Sequence, residues 1–414
     1  MTHAAGRVPG AAFPESFAPA DPSGRVQPDF TALDAALERR GIDGYLLDAD
    51  GQNADQRYLS GFDAPDPYVT LRANGETVLL VSGLEYGRAK ADARGTVRRL
   101  SDYDFQARAA ESGREEARKE VIAALCAEFG VESLAVPPRF PLTTADGLRE
   151  AGVAVSVDDE EVLADIRAVK TAEEIDHIEA AQRANEAAMA AAEDRLASAD
   201  VRDGVLYSEG EPLTSERVKT EIETTLMEHG CALDETIVAG GADAAEPHNR
   251  GSGPLRADEP VLVDIFPRSK ETGYHADMTR TFCRGEPSDE LRAFYDATED
   301  ALDAALDRIE AGVTGEAVHD AVCDTYEARG YATLRSDETT ETGFIHTTGH
   351  GIGLEVHEQP RLTQGAPELE AGNVVTVEPG LYDPEIGGVR IEDLVVVTED
   401  GYRNLTEYER RLRL

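Results

Sequence analysis

Four carboxylates in the C-terminal half of this 414-residue chain lie in, or close, runs of strand-forming apolar residues, and this pattern constrains the fold more than any other feature. Asp264 follows Val261-Leu262-Val263, and Glu378 follows Val374-Val375-Thr376-Val377. Glu392 follows Val389-Arg390-Ile391 and precedes Leu394-Val395-Val396, while Asp277 lies in YHADMTRTF. Short apolar runs rich in β-branched residues read as buried strands. A carboxylate on such a strand is carried into the interior, where it costs several kcal/mol unless a cation meets it. The chain must therefore bring distant strands together around positive charge. Acidic residues elsewhere carry no such message, since Asp and Glu occupy 82 of the 414 positions.

Histidine is the scarce partner. Only nine occur, yet His346, His350 and His357 fall in one short segment, FIHTTGHGIGLEVHEQP. GHGIGL lacks the GxGxxG spacing and the strand-to-helix setting of a dinucleotide site. Gly349, Gly351 and Gly353 more simply let backbone approach a buried site closely. An imidazole among several carboxylates suits a hard to borderline divalent metal.

The chain reads as a loose arm and two domains. Residues 1–28 are rich in Ala, Pro, Gly and Ser. Residues 29–165 alternate helices (Leu33–Arg40, Arg114–Phe129) with strands (Tyr45–Asp48, Thr77–Ser82, Ser133–Val136, Val153–Val157), which implies an α/β domain. Thr171 followed by Glu174 is a capping box, so a long helix begins there and runs towards Leu196. Residues 166–414 then form the second domain, with further helices at Asp289–Glu310, Glu216–Glu228 and Glu316–Ala328. Its strands are expected at Thr236–Ala239, Pro260–Phe266, Tyr274–Phe282, Asn373–Glu378 and Val389–Val397. No sequence repeat is evident.

Composition limits the partners. The net charge is −42, which repels phosphate and argues against nucleic acid and anionic lipid. No window holds the ~20 apolar residues of a membrane helix. The N-terminal MTHAAGRVPGAAFPESF has no continuous apolar stretch of the export type, so a cytoplasmic protein is expected. Lysine is rare (Lys90, Lys119, Lys170, Lys219, Lys270) and tryptophan absent, a balance that suits concentrated salt, where the Debye length falls to ~3 Å at 1 M. Cys126, Cys231, Cys283 and Cys323 are dispersed and read as buried, reduced fillers.

With these residues in view, the chain resembles the pita-bread metallopeptidases, which include methionine aminopeptidases, aminopeptidase P and prolidase. The matching contexts are LVDIF (Asp264), ADMTRTF (Asp277), TGHGIGLEVH (His350), TVEPGLY (Glu378) and VRIEDL (Glu392). NADQRYLSGF in the first domain is similar to the creatinase-type N-terminal domain of proline peptidases. The resemblance implies a ribonuclease H-like α/β domain followed by an α+β pita-bread catalytic domain. It implies two divalent ions per chain, manganese before cobalt or zinc, held by Asp264, Asp277, His350, Glu378 and Glu392. Asp277 and Glu392 would bridge the ions.

The same resemblance gives further residues their roles. His357 would hydrogen-bond the scissile carbonyl, and Glu378 would also relay a proton to the departing proline nitrogen. His346 would support the site. His248 and Arg361 would line the substrate pocket, Arg361 by pairing with the free carboxylate of a dipeptide. Thr279 and Arg280 would orient Asp277 and Glu392. The sequence departs from the family in one place: twelve residues separate Asp264 from Asp277, a longer spacing than usual, and Phe266 stands where glycine is common. A longer hairpin turn at Arg268–Thr272 accommodates this. The implied activity is hydrolysis of an Xaa-Pro dipeptide, with an Xaa-Pro aminopeptidase acting on longer peptides as the alternative. A catalytically silent binding module of the same fold stays open. So does metal-free amidine hydrolysis, which the intact carboxylate set disfavours. A homodimer is implied by the same analogy.

Overall fold

The computed structural model describes residues 26–414, which divide into two compact units, Val26–Arg167 and Ala168–Leu414. The arm expected over residues 1–28 lies, for residues 1–25, outside the described residues.

In the first unit the strand Gly44–Ala49 pairs antiparallel with Tyr68–Ala73, which pairs antiparallel with Glu76–Val81. On its other side Gly44–Ala49 runs parallel to Ser133–Val136, and that strand parallel to Ala154–Val157. Thr96–Arg99 completes the six-stranded mixed sheet beside Glu76–Val81. The helix Arg114–Glu128 buries Ala117, Val121, Ile122, Leu125 and Cys126 in the core that includes Leu46, Val69, Leu71 and Leu134. Each large aliphatic buried there contributes about 1.5–3 kcal/mol. The expectations above lack the strand Tyr68–Ala73. Its signal is the Asn74-Gly75 pair, whose φ angles of 53° and 74° make the tight hairpin to Glu76.

The second unit repeats one plan twice. The helix Ala172–Ala197 starts at the expected capping box, with Thr171 accepting from the Glu174 amide and Glu174 accepting from the Thr171 amide. It shares a core with the helix Ser215–Glu228 and with the antiparallel sheet Thr236–Gly240, Pro260–Ile265 and Met278–Cys283. The helices Asp289–Leu306 and Gly315–Ala328 likewise share a core with residues of a five-stranded sheet. That sheet runs in the order Glu358–Leu362, Gly349–Gly351, Val374–Val377, Asp393–Thr398, Gly401–Asn404. In each half the second helix is capped by a threonine, Thr214 or Thr314, accepting from an amide three residues on. This duplication of elements has no counterpart in the residues. All four cysteines are buried and unpaired.

Three expected elements differ by more than a residue or two at an end. The strand expected at Tyr274–Phe282 begins only at Met278, and the helix expected to reach Glu310 ends at Leu306. The single strand expected at Val389–Val397 is two strands. Gly387–Arg390 pairs with Gly380–Asp383, whereas Asp393–Thr398 belongs to the five-stranded sheet. Ile391 and Glu392 fall in the break, where the Glu392 amide bonds the Thr279 carbonyl at 3.1 Å. Both strands are buried on both faces, so the apolar run continues through the break and hides it.

Candidate metal centre

Strand alternation aims the first two aspartates. Along Pro260–Ile265, Val261, Val263 and Ile265 enter the helix-backed core, which turns Asp264 to the opposite face. Asp264 sits across from Thr279, and Asp277 lies two residues before Thr279, so all three share that face. The added length between the aspartates is taken up beyond the site. Arg268–Ser269 pairs with Cys231–Ala232, and the chain reverses at residues 270–273, with the Gly273 amide bonding the Ser269 carbonyl at 2.9 Å.

His350 lies mid-strand in Gly349–Gly351, and close strand approach explains its flanking glycines. A Cβ on Gly349 would overlap the Thr376 carbonyl, and one on Gly351 the Gln359 carbonyl. The His350 amide donates to Thr376 Oγ1 at 3.1 Å. Its Nδ1 faces the Gly351 carbonyl at 3.1 Å, an oxygen that can only accept. Nδ1 therefore carries a proton, and Nε2 faces Glu378 Oε1 at 3.3 Å and Asp277 Oδ2 at 3.8 Å. Ligand atoms of Asp277, His350 and Glu392 all lie within 4.8 Å of one another.

Asp264, Asp277, His350, Glu378 and Glu392 line one cavity of about 1010 Å³, together with His248, His346, His357 and Arg361. His357 packs edge-on against His350, with ring centroids 4.3 Å apart. Thr279 and Arg280 lie outside the lining. Thr279 donates to Glu392 Oε2 at 2.7 Å. Arg280, on the opposite face of its strand, bonds the Glu392 carbonyl at 2.6 Å and Asp393 at 2.9 Å. It holds the main chain of Glu392 and bonds neither the Asp277 nor the Glu392 side chain; among the described residues no hydrogen bond joins Thr279 or Arg280 to Asp277.

Two residues absent from the sequence reading complete the site. Arg390 is buried and pairs with Asp264 Oδ2, bonds Thr279 Oγ1 at 3.1 Å and reaches the Tyr382 hydroxyl at 2.9 Å. Tyr382 in turn donates to His346 Nε2 at 2.9 Å, because the His346 Nδ1 proton is committed to the Thr347 carbonyl at 2.7 Å. Their signal was present. Arg390 is a lone cation in an apolar run, two residues before Glu392.

The electrostatics call for more cation than Arg390 supplies. Asp277 and Glu392 are pushed well above the ordinary carboxylate range by burial and by the neighbouring carboxylates. Burial also raises Asp264, against the pull of Arg390. Burial acts on Glu378 in the same direction, yet His350, His346 and Arg390 outweigh it and hold this group at about 2. Burial lowers His346 and His357 to about 4, which keeps both neutral at pH 7.

The donor set fits a metal by a second criterion. Among the described residues, three carboxylate oxygens are buried without a hydrogen-bond donor: Asp264 Oδ1, Asp277 Oδ1 and Glu392 Oε1. All three belong to this cluster. Stranded acceptors of this kind are costly unless a cation occupies the space between them.

Comparison with known proteins agrees with this geometry. The profile of metallopeptidase family M24 matches residues 176–399, and that of the creatinase/prolidase N-terminal domain matches residues 30–169. The chain belongs to metallopeptidase family M24. It is a peptidase with the two-domain pita-bread architecture. An Xaa-Pro dipeptidase of Pyrococcus horikoshii is 29% identical over 381 residues, 91% of this chain and 96% of that protein. The structure of an Xaa-Pro dipeptidase from Bacillus anthracis matches with a TM-score of 0.77 at 27% identity, covering 92% of this chain and 98% of the other. That of an X-Pro aminopeptidase from Thermotoga maritima matches with a TM-score of 0.75 at 26% identity, covering 92% and 100%. Among the described residues no helix is long and apolar enough to cross a membrane.

Proposed function

We propose that this M24 peptidase hydrolyses Xaa-Pro dipeptides. The observation that carries the chemistry is the set of three stranded carboxylate oxygens around His350, in a cavity that also presents His357 and Arg361. The substrate follows the relatives, whose names specify Xaa-Pro bonds.

Asp264, Asp277, His350, Glu378 and Glu392 would hold two divalent ions, with Asp277 and Glu392 central to both. Bound there, the ions supply Lewis-acid polarisation of a carbonyl and acidify water at neutral pH. Manganese is favoured, because four carboxylates and one imidazole make a hard donor set; cobalt and zinc are the alternatives. The chain's own groups do the rest. Neutral His357 has a ring proton to donate to the scissile carbonyl oxygen as charge develops on it. Glu378, ionised at neutral pH, would take up the proton that the attacking water releases and pass it to the departing proline nitrogen. Arg361 offers a planar fork to the free carboxylate of a dipeptide, and His248 borders the same space. His346, tied to Tyr382, steadies Arg390 and through it Asp264.

Cleavage of Ala-Pro compared with Ala-Pro-Xaa tests the substrate. A dipeptidase cuts the first; cleavage of the tripeptide alone overturns the proposal in favour of an Xaa-Pro aminopeptidase, a reading that the Thermotoga maritima match favours. Metal analysis of protein purified with Mn²⁺ tests the centre, and a protein that binds none is a silent module. We further propose a homodimer working in a salt-rich cytoplasm, a setting that the net charge of −42 supports.

A further inference from the structure

The buried ion pair between Lys170 and Glu358 takes no part in the chemistry above. Lys170 Nζ lies 3.0 Å from Glu358 Oε2, and the two side chains are 1% and 4% exposed. They come from positions 188 residues apart. A buried pair of this kind is weak evidence for stability, since desolvation offsets its attraction. Its placement suggests another use.

Glu358 directly follows His357 and opens the strand Glu358–Leu362, across from Gly351. Its other oxygen, Oε1, accepts the Glu355 amide at 3.1 Å. The carboxylate lies flat on the Gly353 backbone, where a Cβ would stand 2.7 Å from both oxygens. Gly353 is itself fastened, its amide to the Glu355 carbonyl at 3.0 Å and its carbonyl to the His275 amide at 2.8 Å. The segment 353–358 is thus wrapped around one carboxylate. Lys170 anchors that carboxylate through Oε2, and the Lys170 amide bonds the Gly372 carbonyl at 2.9 Å, just before the strand that leads to Glu378. His357, at the end of the wrapped segment, makes no ring hydrogen bond among the described residues and packs edge-on against His350. Its aim is therefore set by its backbone.

We infer that Lys170 and Glu358 form a latch that positions His357 over the metal centre, making both of them positioning residues for the hydrolytic step. The latch rests on the reading of His357 given under the proposed function. Reacting groups misplaced by about 1 Å can cost on the order of 100-fold in rate. The latch is thus a lever on kcat rather than on substrate binding.

The test uses the full-length, Mn-loaded enzyme with Ala-Pro. Lys170→Met keeps the aliphatic stem and removes the charge; Lys170→Arg keeps the charge. Lys170→Met should lower kcat by about 10–100-fold with metal content unchanged and KM little moved, and Lys170→Arg should restore part of the loss. In a His357→Ala background the same Lys170→Met change should cost less than about twofold, because the group it positions is gone. Equal losses in both backgrounds overturn the latch. Should Lys170→Met not fold, the paired Lys170→Met/Glu358→Leu variant replaces the ion pair with apolar groups, an exchange that buried pairs tolerate. A stable paired variant with wild-type kcat overturns the latch, and one with lowered kcat supports it. If the wild type cuts no Xaa-Pro peptide, the proposed activity fails separately. The latch is then read from the His357 ring-nitrogen resonances, which must shift in Lys170→Met and refute it if they do not.

Discussion

Removing one of the proposed metal ligands should stabilise the metal-free protein, and Asp277→Asn is the clearest case. Asp277 and Glu392 offer ligand atoms within 4.8 Å of each other in a buried cluster. Two unit charges at that separation repel by about 3.5 kcal/mol at an effective dielectric of about 20. The folded, metal-free protein avoids the full repulsion by holding protons, and both groups accordingly titrate well above their ordinary values of 3.8 and 4.5. A carboxylate raised in the folded state binds protons that the unfolded chain has already released. Stability is then fully present below the unfolded value and is lost as pH rises through the folded one. In excess chelator, Asp277→Asn should melt close to wild type at pH 5. At pH 8 it should melt higher, by up to roughly 7 °C for a unit of this size at about 2 °C per kcal/mol. Saturating Mn²⁺ reverses the order. Wild type gains about 2.7 kcal/mol at a hundredfold excess over Kd, and the variant gains far less. Circular-dichroism melts at the two pH values, with and without metal, supply all the comparisons. A difference that does not change with pH, or an equal gain from metal in both proteins, refutes the reasoning.

Other perturbations follow from the same contacts. Arg280→Lys exchanges a fork that holds the Glu392 carbonyl and Asp393 for a single ammonium; it should cost about 3 kcal/mol and reduce bound metal, seen by melting and elemental analysis. Tyr382→Phe strips a donor from His346 and an acceptor from Arg390, and should cost about 1–3 kcal/mol, with turnover lowered at unchanged metal content. His350→Ala should abolish turnover while the chain still folds, which activity and circular dichroism together report. Raising KCl from about 0.1 to 1 M shrinks the Debye length from about 10 to 3 Å and should raise the melting temperature; a fall would count against the salt-adapted reading.

Much of the fold is legible where local chemistry is strong. The capping box at Thr171 and Glu174 places the start of a 26-residue helix, and β-branched runs place the strand that carries Asp264 and the strand that Glu378 follows. The misses have two physical sources. Tyr68–Ala73 and the short helices of the first unit are set by tertiary packing, with only the Asn74-Gly75 turn to mark the first of them. The duplicated helix-and-sheet plan of the second unit is invisible because burial fixes only apolar character at each position and not residue identity.

The two glutamates of the candidate metal centre show how strand reading brings residues to one cavity while misdrawing the strands. Val374–Val377 lies in the five-stranded sheet and Gly380–Asp383 in the two-stranded one, so Glu378 sits where the chain passes between sheets. Glu392 sits at the return passage, between Gly387–Arg390 and Asp393–Thr398. At such a passage the amide has left its own ladder. Glu378 bonds the Thr348 carbonyl at 2.8 Å and Glu392 the Thr279 carbonyl, each on the chain of another metal-centre residue's strand or its approach. Apolar runs on both sides of a passage bury it, which is the signal the sequence carries. The change of sheet opens a gap in the ladders wide enough for side chains to converge, and the sequence does not record that. Replacing either glutamate with a residue that prefers a continuous strand, as in Glu392→Val, should therefore leave the two sheets and their register intact. The passage is fixed by main-chain bonds such as Glu392 to Thr279, and amide exchange should find that bond as protected as in wild type. Loss of its protection would mean that the carboxylate itself, and not the backbone, makes the crossing.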